Sequence, residues 1–371
     1  MKQTERRFLE SILRLPTAPF REQYVSAALE RAARRYELTV KHDRYGNLYV
    51  GYRKGRAEPI AFTAHMDHPG FEITEGGARA KGLFLGGVTP EHLSGAAVAC
   101  YPEPSERDLT HGPPEPVRGH IRRVTQHPLP GRRPEQWLDL EFESAVRSGS
   151  FGCFDIACEI DASVLRAGAL DNLLSCALIL TALGTLKRRG VTADVLGVFT
   201  RAEEVGLVGA GGVLRSPILS PERPLVVLET SKELPGFRIG AGPVVRVGDR
   251  MTAFDPRMDL WLSTEAKALG AREPDFVSQR ALMTGGACEA SLYVLHGRPV
   301  GALALALGNY HNMTPETGIG PEYVSMTDAE QLLAFLEHLA VNPLDPALVH
   351  TRRAELDAVF ERLSPRLRPP A

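Results

Sequence analysis

Histidines and carboxylates follow the apolar runs of this sequence, in an order that could build a metal site. The runs "PIAFTAH", "DVLGVFT", "PLVVLET" and "PVGALALAL" lead to His65, to Glu203 and Glu204, to Glu229 and to His311. Such runs are typical of strands buried on both faces, and open α/β sheets place their ligands at the carboxyl ends of the strands. Asp171, in "GALDN", begins a helical pattern and could reach the same edge. Mixed nitrogen and oxygen donors suit zinc, cobalt or manganese.

Each of these residues also has an ordinary structural explanation. Asp171 alone would be a helix cap, because aspartate is among the preferred capping residues. The pair Glu203 and Glu204 would be a solvated loop, and His311 a hydrogen-bonded loop histidine. Glu229 is harder to explain in this way, since a carboxylate that closes an apolar run needs a partner. Their joint occurrence at strand ends favours the metal site.

The segment around His65 carries the strongest local signal. His65 and Asp67 share one face of an extended segment, and a carboxylate commonly accepts the ring N–H of a histidine that ligates a metal. We therefore predict that Asp67 orients His65. His68 has two interpretations, an exposed turn histidine before Pro69 or a role in substrate binding or proton transfer, and the turn is the simpler one.

The elements that must position these residues alternate along the chain. Two amphipathic helices precede residue 40, and buried strands then alternate with helices such as "DNLLSCALILTALGTLKRRG" and "SMTDAEQLLAFLEHLA". The alternation predicts an α/β fold, a mostly parallel mixed sheet with helices on both faces. Proline, glycine and short strand-like pieces dominate 75–165, which predicts an inserted small β-barrel-like domain. The expected division is catalytic domain 1–74 and 166–345, inserted domain 75–165 and C-terminal extension 346–371.

Composition limits the partners and the compartment. The chain of 371 residues has a formal net charge of −2 and no basic run, so we expect no nucleic-acid partner. The amino terminus lacks a signal-peptide core, and no apolar stretch of about 18 residues is evident, so we expect no membrane partner and a cytoplasmic location. Five cysteines without a CxxC pair argue against a disulfide framework and a thiolate zinc site.

Six segments resemble the motifs of a known enzyme family. They are "AHMDHPGF", "LGGVTPEHLSG", "GALDN", "TRAEEVGLVGA", "VVLET" and "NYHNM". In order and spacing they are similar to those of the dinuclear metalloaminopeptidases, which include glutamyl aminopeptidase and the tetrahedral, self-compartmentalising aminopeptidases. The resemblance covers about residues 5–340. The inserted domain of this chain lies early, between Asp67 and Asp171. In the carboxypeptidase and deacylase relatives of the wider superfamily, the extra domain lies late in the chain.

The resemblance implies a site and a reaction. The implied roles are Asp171 as the bridge between two divalent ions, His65 with Glu229 on one ion, Glu204 with His311 on the other, Asp67 as the orienting residue and Glu203 as the general base. The ions would be Zn²⁺, with Co²⁺ or Mn²⁺ as alternatives. Two cations about 3.5–4 Å apart acidify water and polarise a carbonyl, and a carboxylate then takes the proton. The implied activity is removal of amino-terminal residues from short peptides by a homo-oligomer, from dimer to dodecamer.

Three positions depart from the family pattern. Glu229 and Asn172 stand where the family usually has aspartate, and His68 stands where it has an acid. Two alternatives therefore stay open: a deacylase or carboxypeptidase-like amide hydrolase that uses the same metals, and a non-catalytic metal-binding assembly protein. The retained base Glu203 beside Glu204 favours turnover.

Overall fold

A computed structural model describes residues 1–131 and 133–367 of the chain. Within these ranges the helices are α1 (Gln3–Leu13), α2 (Gln23–Arg35), α3 (Pro90–Leu93), α4 (Glu106–His111), α5 (Leu170–Arg189), α6 (Val208–Val213), α7 (Pro256–Arg272), α8 (Glu289–Leu295), α9 (Met326–Val341) and α10 (Leu348–Leu363), with 3-10 turns at Tyr310–Asn312 and Ser364–Arg366. The strands are β1 (Thr39–His42), β2 (Leu48–Lys54), β3 (Pro59–His65), β4 (Gly70–Glu75), β5 (Gly77–Leu85), β6 (Ala97–Tyr101), β7 (Val117–His127), β8 (Glu135–Val146), β9 (Phe151–Phe154), β10 (Glu159–Ile160), β11 (Val164–Ala167), β12 (Ala193–Thr200), β13 (Leu225–Lys232), β14 (Val244–Asp249), β15 (Gln279–Met283), β16 (Val300–Leu307) and β17 (Glu322–Ser325).

An eight-stranded mixed sheet organises the larger part of the molecule. Its order is β1-β2-β12-β3-β13-β16-β14-β15, and the four central strands β12, β3, β13 and β16 are parallel. Helices α1, α5 and α9 cover one face, while α6 and α8 pack on the other. All eight residues of β16 are buried because both faces are covered. The predicted α/β class, with a mostly parallel mixed sheet, is confirmed.

Helix α5 is the central helix of the main core. It is long and apolar enough to cross a membrane, which corrects the expectation that no such segment occurs. Its most apolar 18-residue window is 94% buried, because it packs against β3, β13 and α9. Burial on all sides, rather than contact with lipid, accounts for its composition.

A closed barrel interrupts the sheet in sequence. Its strands β4, β5, β8, β7, β6 and β9 span residues 70–154 and enclose their own apolar core, which includes Phe71 and Leu140. The barrel therefore begins before residue 75, the expected boundary. Strands β10 and β11 also lie outside it, since they form a separate three-stranded sheet with β17.

The carboxyl-terminal helix α10 has no buried residue, and its apolar side chains Leu356 and Phe360 are exposed. It belongs to the expected C-terminal extension, of which 368–371 lie outside the described residues. All five cysteines are free thiols in the described structure.

Candidate metal centre

The main sheet opens between β3 and β13, and the opening creates the site. The two strands are paired only as far as Thr63 and Val227. Beyond that row, the amino-terminal end of α5 fills the gap: the Asn172 side-chain amide donates to the Leu228 carbonyl at 2.8 Å, and the Cys176 thiol donates to the His65 carbonyl at 3.2 Å. The backbone groups beside the opening are thereby satisfied, and Asp171 is carried into it.

Asp171 lies at the centre of the cluster and faces two histidines. Its Oδ1 is 3.3 Å from His65 Nε2, and its Oδ2 is 3.7 Å from His311 Nε2. Glu229 Oε2 is 3.6 Å from the same His65 nitrogen, whereas Glu204 Oε1 is 3.1 Å from the same His311 nitrogen. The structure thus brings all five predicted ligands together as two groups that share Asp171.

The spacing of these atoms fits divalent cations. Two ligands bound at 2.0–2.1 Å to a tetrahedral zinc lie roughly 3.3 Å apart, which is the range observed between the paired nitrogen and oxygen atoms. Four buried atoms of the cluster also have no hydrogen-bonding partner among the described residues, namely Asp171 Oδ1, Glu204 Oε1, Glu229 Oε1 and His311 Nε2. Buried polar atoms of this kind need a partner, and a cation supplies one.

The electrostatics of the cluster point the same way. Burial lowers the pKa of His65, but the carboxylates around it, Asp171 foremost, raise that pKa well above its usual range. Burial raises the pKa of Glu229, although His65 and the buried Arg246 guanidinium lower it in part. Several carboxylates share one buried space, and positive charge is what stabilises them there.

Glu203 lies next to both groups without being required by either. It forms a third possible set of ligands with His65 and Glu204. Burial, followed by the charge of neighbouring carboxylates such as Glu229, raises the pKa of Glu203 well above its usual range. Glu203 is partly exposed, and a carboxylate with a raised pKa can accept a proton from a reacting group and return it.

Asp67 contacts the cluster differently from the sequence prediction. The nearest partner of His65 Nδ1 is the Asp67 backbone carbonyl at 3.1 Å, whereas the carboxylate is 3.6 Å away. The buried carboxylate instead accepts two backbone N–H groups, from Glu203 at 2.9 Å and from Glu204 at 3.0 Å. Asp67 therefore holds the turn after β12 that carries the predicted base and a predicted ligand.

The interpretation of His68 as an exposed turn histidine is wrong. Its side chain is buried and lies between the Asp171 backbone and the Asn312 side chain. Nδ1 donates to the Asp171 carbonyl, and Nε2 lies 2.9 Å from the Asn312 side-chain amide. Burial lowers the pKa of His68.

Three further residues at the site were not found from the sequence. The Gly87 carbonyl, in the loop after β5, accepts the Nδ1–H of His311 at 3.0 Å. Glu322 contacts the backbone of two predicted ligands. Arg246 is buried near Glu229. Only "LGGVTPEHLSG", which contains Gly87, gave a signal, through its resemblance to a family motif.

Known proteins resemble this chain over most of its length. The family described as M42 glutamyl aminopeptidase matches residues 46–317. A curated putative aminopeptidase from Acetivibrio thermocellus is 26% identical over 321 residues, which are 80% of this chain and 86% of that protein.

Solved structures share the fold. The TET aminopeptidase of a marine-sediment thaumarchaeon superposes with a TM-score of 0.76 at 18% identity, over 94% of this chain and 99% of that one. The TET1 peptidase of Pyrococcus horikoshii, described as assembling into a tetrahedron or an octahedral shell, gives 0.73 at 20% identity, over 91% and 100%. The chain therefore belongs to the M42 glutamyl aminopeptidase family and is a metal-dependent aminopeptidase.

Proposed function

We propose that the chain removes amino-terminal residues from short peptides at a dinuclear metal centre bridged by Asp171. The observation that carries this proposal is the orientation of Asp171, whose two carboxylate oxygens face two different histidines, each beside its own glutamate. A mononuclear site would leave one of these groups without a cation. The nitrogen and oxygen donors favour Zn²⁺, with Co²⁺ or Mn²⁺ as alternatives.

The residues would divide the work as follows. His65 and Glu229 would hold one cation, and Glu204 and His311 the other. When bound, such a pair supplies Lewis acidity, which acidifies water and polarises the carbonyl of a peptide bond. The Glu203 carboxylate would accept a proton from the attacking water and return it to the leaving amine, as base and then as acid. Glu229, one carbon longer than the family's aspartate, reaches the cluster from within β13 rather than from its end.

The substrate end that enters the site is an amino terminus. The free, uncharged amino group of a peptide would bind to one of the two cations, which would make the site specific for amino termini. We also propose that the chain forms a homo-oligomer, from dimer to dodecamer, with the barrel domain taking part in assembly. The assemblies described for the TET1 peptidase support this, and light scattering of the purified protein would give the number.

A Glu203→Gln variant tests the reaction. The substitution keeps the shape of the side chain and removes its basicity, so we expect two metal ions per chain, as in the wild type, and no hydrolysis of aminoacyl p-nitroanilides. The wild type should cleave these substrates after loading with Zn²⁺, Co²⁺ or Mn²⁺ and leave their N-acylated forms intact.

Three results would contradict the proposal. Unchanged activity of the variant would refute the role of Glu203. Full wild-type activity with one ion per chain would refute the dinuclear centre. Cleavage of N-acyl amino acids alone would favour the deacylase alternative.

A further inference from the structure

Glu322 is a buried carboxylate that bonds to two predicted metal ligands through their backbones. Its Oε2 accepts the N–H of Asp171 at 2.9 Å, and its Oε1 accepts the N–H of His311 at 2.9 Å. The side chain is fully buried. Both oxygens are thus engaged, and Glu322 is not part of the clusters of ligand atoms found among the described residues.

Strand β17 places Glu322 between the two segments that carry these ligands. Glu322 is paired with Ala167 at the end of β11, four residues before Asp171. The next residue, Tyr323, exchanges both backbone hydrogen bonds with Gly308, three residues before His311. The strand therefore joins the two ligand segments, and Glu322 is where both converge.

His68 completes the contacts to the Asp171 backbone. Its Nδ1–H donates to the Asp171 carbonyl, while Glu322 accepts from the Asp171 N–H. The other nitrogen of His68 lies 2.9 Å from Asn312, which directly follows His311. His311 and Asn312 have φ of 54° and 64°, a left-handed conformation that residues other than glycine adopt at some cost and that their surroundings must hold.

We infer that Glu322 and His68 are positioning residues of the metal centre: they hold the Asp171 backbone at its N–H and its carbonyl, and Glu322 also fixes His311. This inference rests on the proposed dinuclear site. Asp171 and His311 come from different elements, and a divalent cation binds tightly only if their side chains are held at the right separation. Glu322 is the group that contacts both.

A Glu322→Gln variant tests the inference. The amide presents a donor where the carboxylate presented an acceptor, so one backbone N–H loses its partner with little change of shape. We expect Zn²⁺ affinity, measured by competition with a chelator, to fall about 10- to 100-fold, the usual effect of removing a group that supports a ligand.

Asp328 offers a matched control for the effect on stability alone. It is also a buried carboxylate that accepts two backbone N–H groups, from Gly240 at 2.7 Å and Gly242 at 2.9 Å. Asp328→Asn should lower the melting temperature of the metal-free protein as Glu322→Gln does, yet leave Zn²⁺ affinity unchanged. Equal Zn²⁺ affinities of wild type and both variants would overturn the inference.

A second pair of variants avoids dependence on the folding of Glu322→Gln. His68→Asn keeps a donor near the position of Nδ1 and should retain Zn²⁺ affinity, whereas His68→Leu removes the donor and should weaken binding about 10-fold or more. Equal affinities of these two variants would refute the role of His68. If the wild type bound no Zn²⁺, the proposed metal centre itself would fail, which separates that outcome from an unchanged affinity in the variants.

Discussion

Replacement of Asp67 by asparagine should reduce turnover more than it disturbs His65. The asparagine keeps the backbone carbonyl that accepts the Nδ1–H of His65 at 3.1 Å. The carboxylate oxygens, however, accept the N–H groups of Glu203 and Glu204, and the amide can accept only one of them. The turn that carries the proposed base should therefore lose one of its two anchors.

The size of the effect follows from the bond that is lost. A hydrogen bond to a charged group contributes about 1.5–3 kcal/mol, and each 1.36 kcal/mol of barrier changes a rate tenfold. If the displaced turn raises the activation barrier by this free energy because Glu203 is misplaced, kcat should fall about 10- to 150-fold. The substituted side chain is fully buried, so water cannot replace the missing acceptor.

The assay is kcat on an aminoacyl p-nitroanilide at saturating metal, together with metal affinity by chelator competition. Asp161→Asn is the control, because the Asp161 carboxylate also accepts two backbone N–H groups, from Ser163 and Val164 at 2.7 Å, but lies in an exposed turn. It should leave both quantities unchanged. An Asp67→Asn enzyme with normal kcat would refute this reasoning, since the turn would then hold Glu203 in place without the second anchor.

Two further predictions concern stability. A Cβ at Gly152 in the barrel would lie 2.1 Å from the Phe71 ring, so Gly152→Ala should destabilise the protein by about 1–3 kcal/mol in urea unfolding, and an unchanged midpoint would contradict the packing. Burial raises the pKa of Glu289 from 4.5 to about 7, so the folded chain keeps a proton that the unfolded chain loses as the pH rises through this window. Glu289 should therefore contribute a fall in stability of about 3 kcal/mol between pH 4.5 and 7; Glu289→Gln should remove that contribution in chelator-treated protein, and identical pH profiles of wild type and variant would refute the assignment.

The fold class and the set of candidate ligands were predictable because both depend on local patterns. Continuous apolar runs identify buried strands, and parallel strands bring their carboxyl ends to one edge of a sheet. That rule is enough to gather His65, Glu204 and His311 without knowledge of strand order. Asp171 was a candidate from its place before a helix, but its bridging role needed the family resemblance, because an isolated aspartate at that place is indistinguishable from a cap.

The supporting contacts were not predictable because they depend on register and on distant packing. Glu322 lies 151 residues from Asp171, and a glutamate in a short strand ordinarily faces solvent. Gly87 approaches His311 through a backbone carbonyl, for which no side-chain pattern exists. The burial of His68 goes with contacts to Asp171 and Asn312, which lie 103 and 244 residues away in the chain, so the local sequence indicates only a turn.

The departures from the family pattern can be understood together. His68 and Asn172 each donate a hydrogen bond to a backbone carbonyl, of Asp171 and of Leu228 respectively, which an ionised acid could not do. Each also puts an uncharged donor where an acid would add negative charge to a buried cluster already rich in carboxylates. Burying another carboxylate costs free energy unless it is paired. Neutral donors at these two positions avoid that cost and still hold the Asp171 backbone. The same positions that weakened the resemblance therefore hold the backbone at Asp171 and Leu228 by hydrogen bonds.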